Sequence, residues 1–499
     1  SILITPSEKG HSQPHGGQGM SSADFLFTST PESAPSTPTS TPGGSGAFDN
    51  RPNQGVTVAS LNVQLGDRGE FQASEAKPIG QCCRVNAVGL PHTGVVDATN
   101  DFPNVTERYR FMFTTLDERS RAIDKHLLSI QQDMIESHYI NELQPVGVPS
   151  PELVWVCGRI CNIAIEGKIS KANILLEGSL SESGRRVHLD VSEMNDYSLF
   201  PGQVVCVQGI NSGGRTMVAK RIIEGKALPL PTTKPDSLLE MHYSRKYQGS
   251  KPLKIRVTCG PYTTSDNLNF DPFMVLMAGI LSDKPDVVIM LGPFVDINHP
   301  MLSKGVVCID NRYDEEDNGN DTFHKKSKKD EKTPMTYETL FRKRIGTDGF
   351  ARFFNSGDDD GTRIETQFVL IPSVNDAFHE CVYPQPPYGD RDEIKTTYFE
   401  EALGRLDIPY SKESDGPLKR VHLLSNPSMF RINEVLFGTT SNDVLYSLSS
   451  DEASKINENR LNRLSNHILQ QQSFHPQFPN PPMANNTSIP VSDMSTICI

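Results

Sequence analysis

The chain has 499 residues, a net charge of −13 from 48 basic and 61 acidic side chains, and a hydrophobic share of 36%. That length allows about two to four domains, and the low apolar share implies that part of the chain is disordered. The acidic balance excludes nucleic-acid binding over the whole surface, which needs clustered Lys and Arg, and leaves room for a local basic groove.

Residues 1–75 are rich in Ser, Thr, Pro and Gly and are expected to form a disordered tether. Thr30-Pro31, Thr37-Pro38 and Thr41-Pro42 stand close together in it. They read either as plain linker or as sites for proline-directed kinases. Residues 76–150 read as a helical linker region. Within Asn104–Ile140, the residues Phe113, Leu116, Ile123, Leu127, Ile130, Met134 and Ile135 recur at spacings of three, four and seven, which makes one apolar stripe. Pro145, Pro149 and Pro151 close the region.

Residues 151–228 read as short strands: Leu153–Ile160, Ala172–Leu176, Arg186–Asp190, Val204–Ile210 and Thr216–Arg221. With a short helical turn near Glu193–Tyr197, they suit a Greek-key barrel of the OB type. Such barrels often hold single strands on aromatic and basic side chains. Here Trp155 lies in an apolar strand and reads as core, and the basic residues are few. Contact with protein is the stronger expectation.

A proline-bearing linker, Leu228–Asp236, leads to an α/β domain over 229–482. Lys254–Cys259 reads as a buried strand, Pro272–Leu281 as a helix and Val287–Leu291 as a second buried strand, which together form a βαβ unit of a parallel sheet. Residues 310–332 form a charged block, acidic then basic, read as a solvated insertion or a weak localisation signal. Met335–Arg344 returns to helix. Phe368–Ile371, Val421–Leu424 and Val435–Phe437 are further strands, and Arg460–Gln470 is a helix. Residues 483–499 form an irregular tail.

The nine cysteines include no paired CxxC motifs. Cys82 and Cys83 are adjacent, and Cys157 and Cys161 are four apart along one strand. Neither has zinc-knuckle spacing. They read as reduced, buried thiols, which fits a nuclear or cytosolic compartment. There is no apolar run of transmembrane length and no signal peptide. The first residue is Ser1 rather than Met, so a fragment or processed chain is expected.

In open α/β sheets chemistry sits beyond the carboxyl ends of the strands. A two-metal phosphoesterase places Asp-x-His and Gly-Asp there, holding two cations about 3.5–4 Å apart. Here those places hold Cys259-Gly260-Pro261 and Gly292-Pro293, and proline offers a metal nothing. Pro372-Ser373-Val374-Asn375-Asp376 and Gly438-Thr439-Thr440-Ser441 stand at the later sites. Asp266, Asp296, Asn375, Asp376 and His379 lie near strand ends. They read either as loop caps or as a rebuilt metal site. His422, inside an apolar strand, reads as a core or rim histidine. No phosphate loop, Ser-His-Asp pattern or cysteine nucleophile signature appears.

Cys259-Gly260-Pro261-Tyr262-Thr263-Thr264-Ser265-Asp266, Leu291-Gly292-Pro293-Phe294, Ile371-Pro372-Ser373 and Val382-Tyr383-Pro384-Gln385-Pro386-Pro387 resemble the B subunits of eukaryotic replicative DNA polymerases. The likeness is greatest to the branch found in the polymerase α–primase complex. Tyr197–Val205 and Gly438–Asp443 look like further signatures of it, in the same order, over about Arg51 to Pro482. The resemblance implies an OB-type Greek-key barrel packed on an inactivated calcineurin-like phosphoesterase α/β sandwich. It also implies a nuclear, non-enzymatic subunit with no cofactor or metal. That subunit would hold the C-terminal domain of the catalytic subunit of DNA polymerase α and meet the primase subunits through the complex. Contact with DNA would be mostly indirect. Gly260, Pro261, Asp266, Gly292, Pro293, Asp296, Asn375 and Asp376 would then be degenerate former active-site positions. The family has a helical domain before the tether and further strands after the position of Pro479. Met483–Ile499 bears no likeness to those strands, which leaves an exposed sheet edge as an expectation. The alternatives are a metal-dependent phosphoesterase with rebuilt ligands and a single-strand-binding OB protein.

Overall fold

The computed structural model describes residues 57, 85–88, 115–164, 168–230, 232–243, 252–305, 307–309, 333–356, 366–381, 383–388 and 421–479. All but residue 57 belong to one compact unit within Leu65–Ile499. Thr30, Thr37 and Thr41, the 310–332 insertion and the 483–499 tail lie outside the described residues.

Strand β1 is Val85–Val88 and helix α1 is Leu116–His138. Thr115 caps α1 in a reciprocal box with Glu118, which satisfies amide groups that the first turn leaves open. Tyr139 ends it in the left-handed region. Leu127, Ile130 and Met134 are buried against Cys157, Val204, Cys206 and Ile223. The expected stripe is therefore shorter at its start, since Leu116 is 82% exposed.

Strands β2 (Ser150–Asn162), β3 (Ile174–Glu177), β4 (Arg186–Asp190), β6 (Val204–Asn211) and β7 (Thr216–Glu224) close a barrel in the order β2-β3-β4-β7-β6. Alternate residues such as Val156, Ile160, Leu176, Leu189, Val205 and Val207 fill its interior. One sequence expectation changes here, and the core reading of Trp155 is met on the outer face of the barrel. Glu193–Tyr197 forms turns and bends, and the short helical piece is instead a 3-10 turn at Leu180–Glu182. Trp155 points out of the barrel into the α1 cluster, with the Arg221 guanidinium 6.0 Å over its ring. Strand β5 (Ser198–Leu199) leaves the barrel and pairs with β16 (Ala453–Ser454).

Residues Pro235–Tyr243 form helix α2, so the Leu228–Asp236 linker ends in a helix with Pro235 as its first residue. The α/β domain continues with β8 (Ile255–Cys259), α3 (Asp271–Asp283), β9 (Val287–Leu291), β10 (Cys308–Ile309) and β11 (Thr333–Pro334). Next come α4 (Tyr337–Phe341), a wider π-helical stretch (Arg342–Ala351), α5 (Arg352–Asn355) and β12 (Gln367–Ile371). Strands β13 (Val421–Leu423), β14 (Ser428–Ile432) and β15 (Val435–Thr439) and helices α6 (Val444–Asp451) and α7 (Arg460–Gln470) complete it.

A parallel sheet runs β13-β12-β9-β8, and an antiparallel sheet runs β1-β14-β15. In β9 the side chains split between two cores. Val287, Ile289 and Leu291 meet Phe430 and Ile432 of the second sheet, while Val288 and Met290 meet Phe273, Phe341 and Phe350 on the helical side. Both faces are thus covered, as a parallel sheet requires. Strand β8 is the exception. Among the described residues it pairs with β9 alone, and Ile255 and Val257 are 37% and 41% exposed, so the strand is less buried than expected.

Cys157, Cys161 and Cys206 are buried thiols, but Cys259 and Cys381 are exposed, which departs from the expectation of uniform burial. Among the described residues, no helix is long and apolar enough to cross a membrane.

Candidate functional site: the strand-end cleft

The loops after β8, β9 and β12 meet at the carboxyl end of the parallel sheet. The Gly260 amide donates to Leu291 O and the Gly292 amide to Ile371 O, each at 2.9 Å. A methyl group on Gly260 would lie 2.1 Å from Pro293 O, and one on Gly292 would lie 2.7 Å from Asp376 Oδ2. Only glycine permits so close an approach. The loops are zipped together at the carboxyl end of the sheet, where open α/β folds keep their chemistry.

Asp376 is the carboxylate at the centre, 2% exposed. Its Oδ1 accepts the amides of Phe294 at 2.6 Å and Val295 at 3.1 Å. Its Oδ2 accepts the Ser373 amide at 2.8 Å and the Tyr388 hydroxyl at 2.6 Å. Burial pushes this carboxyl up to about 6, against the pull of those four donors. Burial also raises Tyr388, which keeps the proton it donates. The Tyr388 ring packs on Phe294, Phe341 and Phe378, and Tyr262 stacks on Phe294 while its hydroxyl donates to Leu291 O at 2.9 Å. Asp376 therefore spends its lone pairs on pinning two loops.

The remaining positions scatter. Asp296 bridges to Asp376 through backbone, and its Oδ1 caps Asn298. Asn375 is exposed; its carbonyl accepts the Ile297 amide and its own amide donates to Ser373 Oγ. Asp266 is exposed, and the neighbouring Thr264 side chain is the main influence holding its carboxyl below the ordinary range. His379 shares a hydrogen bond with Pro386 O, and His422 with Gln367 Oε1. Thus Gly260, Pro261, Gly292, Pro293 and Asp376 come together, whereas Asp266 is turned to solvent. Sequence reading missed His299, which is buried and bonds Thr264 O at 2.7 Å, tying the β8 loop to the β9 loop. Among the described residues, no group of three or more His, Cys, Asp or Glu could hold a metal ion.

A second buried polar cluster joins barrel and α/β domain. Glu452 accepts Arg463 Nε at 2.6 Å and Nη2 at 2.9 Å, and the Ser198 hydroxyl at 2.5 Å. His467 Nε2 lies 2.7 Å from Ser198 Oγ and its Nδ1 lies 3.7 Å from Glu224. Burial alone would raise Glu452, but Arg463, His467 and Ser198 outweigh it and hold the carboxyl well below its usual range. The Ser-His-Glu layout superficially resembles a hydrolase triad. Ser198 is only 1% exposed and gives its proton to Glu452, so the cluster is a clasp. Ser198 and His467 are 269 residues apart, and no local motif announces the pair.

Two family models match this chain. One, described as the DNA polymerase alpha/epsilon B subunit, covers residues 255–498. The other, the OB domain of the DNA polymerase alpha B subunit, covers residues 120–225 and so takes in α1 as well as the barrel. The chain belongs to the B-subunit family of DNA polymerases alpha and epsilon. Its similar relatives carry the narrower name, the B subunit of DNA polymerase alpha. That of Mus musculus is 32% identical over 380 residues, covering 75% of this chain and 52% of the relative. That of Bos taurus is 31% identical with the same coverage, and that of Schizosaccharomyces pombe is 28% identical over 383 residues, covering 74% and 56%. The chain thus spans about half the length of the relatives it matches. The first match runs through residue 498, past Met483, where the sequence reading expected likeness to stop.

Proposed function

We propose that this chain is a non-catalytic accessory subunit of DNA polymerase α–primase, acting in the nucleus in primer synthesis. In this reading it holds the C-terminal domain of the catalytic subunit, meets primase through the complex, and touches DNA mostly indirectly. Its α/β domain is an inactivated calcineurin-like phosphoesterase sandwich in which Gly260, Pro261, Asp266, Gly292, Pro293, Asp296, Asn375 and Asp376 mark the former site.

The observation that carries this reading is the saturation of Asp376 by four donors inside loops too tight for a side chain at 260 or 292. A retained sheet with its strand-end cleft closed is useful as a surface. The clasp at Glu452 supports the same reading, because it fixes barrel and α/β domain as one platform. The relatives' shared name supports the assignment to polymerase α. A single-strand-binding role for the barrel is disfavoured, since Trp155 is committed to α1 and Arg221.

Co-expression with the C-terminal domain of a polymerase α catalytic subunit tests the proposal. A stable complex on gel filtration is expected, burying about 2,000 Å² or more. A chain that elutes alone, folded and monodisperse, in the presence of that domain rejects it.

A further inference from the structure

A cleft of about 520 Å³ opens at the seam between barrel and α/β domain, next to the Glu452 clasp. Three separate pieces of chain line it. Lys168, Ser170 and Lys171 come from the loop between β2 and β3, Tyr197 from the approach to β5, and Ser454, Arg460 and Arg463 from β16 and the first turn of α7.

The two lysines stand on a fixed turn. Asn173 Oδ1 accepts the Ser170 amide and hydroxyl, its Nδ2 donates to Lys168 O, and its own amide donates to Ser170 O. Ile169, 2% exposed, anchors the turn in the barrel core, so Lys168 and Lys171 flank it in solvent. Opposite them Arg460 is anchored by Nη2 on Ser449 O at 2.7 Å. Two of the acids nearby have partners of their own, Lys168 also acting on Asp451. Glu452 is bound by Arg463, and Asp451 accepts the Gln477 amide at 2.8 Å and is raised by burial. Cations on preorganised backbone, over a floor whose carboxylate is already paired, suit one compact dianion. They do not suit a nucleic-acid track, because the one aromatic lining residue, Tyr197, is only 6% exposed and presents no ring for stacking.

We infer that this seam cleft binds the phosphate of a phosphorylated Thr-Pro peptide, with Lys168, Lys171 and Arg460 as its cationic contacts. This does not depend on the scaffold reading. The sequence offers one source in cis, the Thr30, Thr37 and Thr41 segment, and a partner protein is the other. Each phosphate adds about −1.5 to −2 charges, which is what the cation set recognises.

The test uses the full, unphosphorylated chain and fluorescence anisotropy with a labelled peptide of residues 26–45, with and without phosphate on Thr37. Binding of the phosphopeptide at least 10-fold tighter than the plain peptide is expected. K168Q/K171Q should remove that preference with the thermal melt unchanged, and N173A should weaken it by loosening the turn. Phosphorylating the full chain with a proline-directed kinase separates the sources. Loss of probe binding places the ligand in cis, and unchanged binding places it in a partner. Equal affinity for both peptides overturns the proposal. So does a phosphate preference that survives K168Q/K171Q, or oligo-dT binding that depends on these lysines while the phosphopeptide does not bind.

Discussion

Gln471 pairs with Val204 as a neighbouring strand would: its Oε1 accepts the Val204 amide at 2.7 Å and its Nε2 donates to the Val204 carbonyl at 3.0 Å. Both residues are buried, 267 positions apart, and the Gln471 carbonyl is in turn bonded by His126 of α1. One side chain thus joins helix, barrel and the segment after α7. Gly225 and Gly202 let that segment approach, since added methyl groups would lie 2.1 Å from Gln470 O and 2.3 Å from the Phe478 amide.

Q471A should strand the Val204 amide and carbonyl in the interior. At about 1–3 kcal/mol for each buried unpaired group, the loss should be about 2–6 kcal/mol. Urea unfolding measures it, and a loss under about 0.5 kcal/mol would refute the strand-like role.

The Asp376 carboxyl, raised by burial to about 6 from an ordinary 3.8, gives a pH signature. A raised acid favours the fold most below its ordinary value and loses that contribution as pH rises through the folded value. Stability from this group should therefore fall between about pH 4 and 6 and level off above. The span is at most about 3 kcal/mol at 1.36 kcal/mol per unit. Denaturant midpoints for the native chain and D376N from pH 4 to 8 isolate it. Parallel curves for the two proteins would rule it out.

G292A should drive a methyl group into Asp376 Oδ2 and the Ser373 amide, at 2.7 and 2.9 Å. Overpacking of this kind costs about 1–3 kcal/mol or more. Loss of soluble protein or a lowered melting temperature is expected, and a melt matching the native one would show that the loops can open.

A chromogenic phosphodiester with manganese should turn over no faster than in buffer. Turnover that disappears in D266N or D296N would show a rebuilt metal site and displace the accessory reading.

Treatment with a cyclin-dependent kinase should place phosphate on Thr30, Thr37 or Thr41, read by mass mapping, without shifting the melt of the folded unit. Absence of phosphate at all three positions would end this proposal.

The barrel and βαβ unit were legible because they are local: alternation in Val204–Ile210, apolar runs in Val287–Leu291 and Phe368–Ile371, and turn residues between them. Lys254–Cys259 was misjudged because apolar content does not say which face has a neighbour. Strand β14 was missed although Asn433, with φ of 51°, supplies the left-handed residue of a tight hairpin to β15. Gly260, Gly292 and the prolines showed that these strand-end positions carry no side-chain ligand for a metal. They could not tell that Asp376 ties these loops together, since its donors lie up to 82 residues away. The clasp and the seam cleft join residues from opposite ends of the fold and left no periodic trace.

The glycine-tight strand-end loops also bear on reversibility. A carboxylate introduced at 260 or 292 would meet backbone or Asp376 before it met a cation. A metal site would form there only if both loops parted, Asp376 left its four donors and several ligands arrived together. Each such change made singly would break contacts that hold these loops together. In an evolutionary sense the closure works as a ratchet: it bars single substitutions from opening a metal site at these strand ends, and leaves the outer surface as the part free to change.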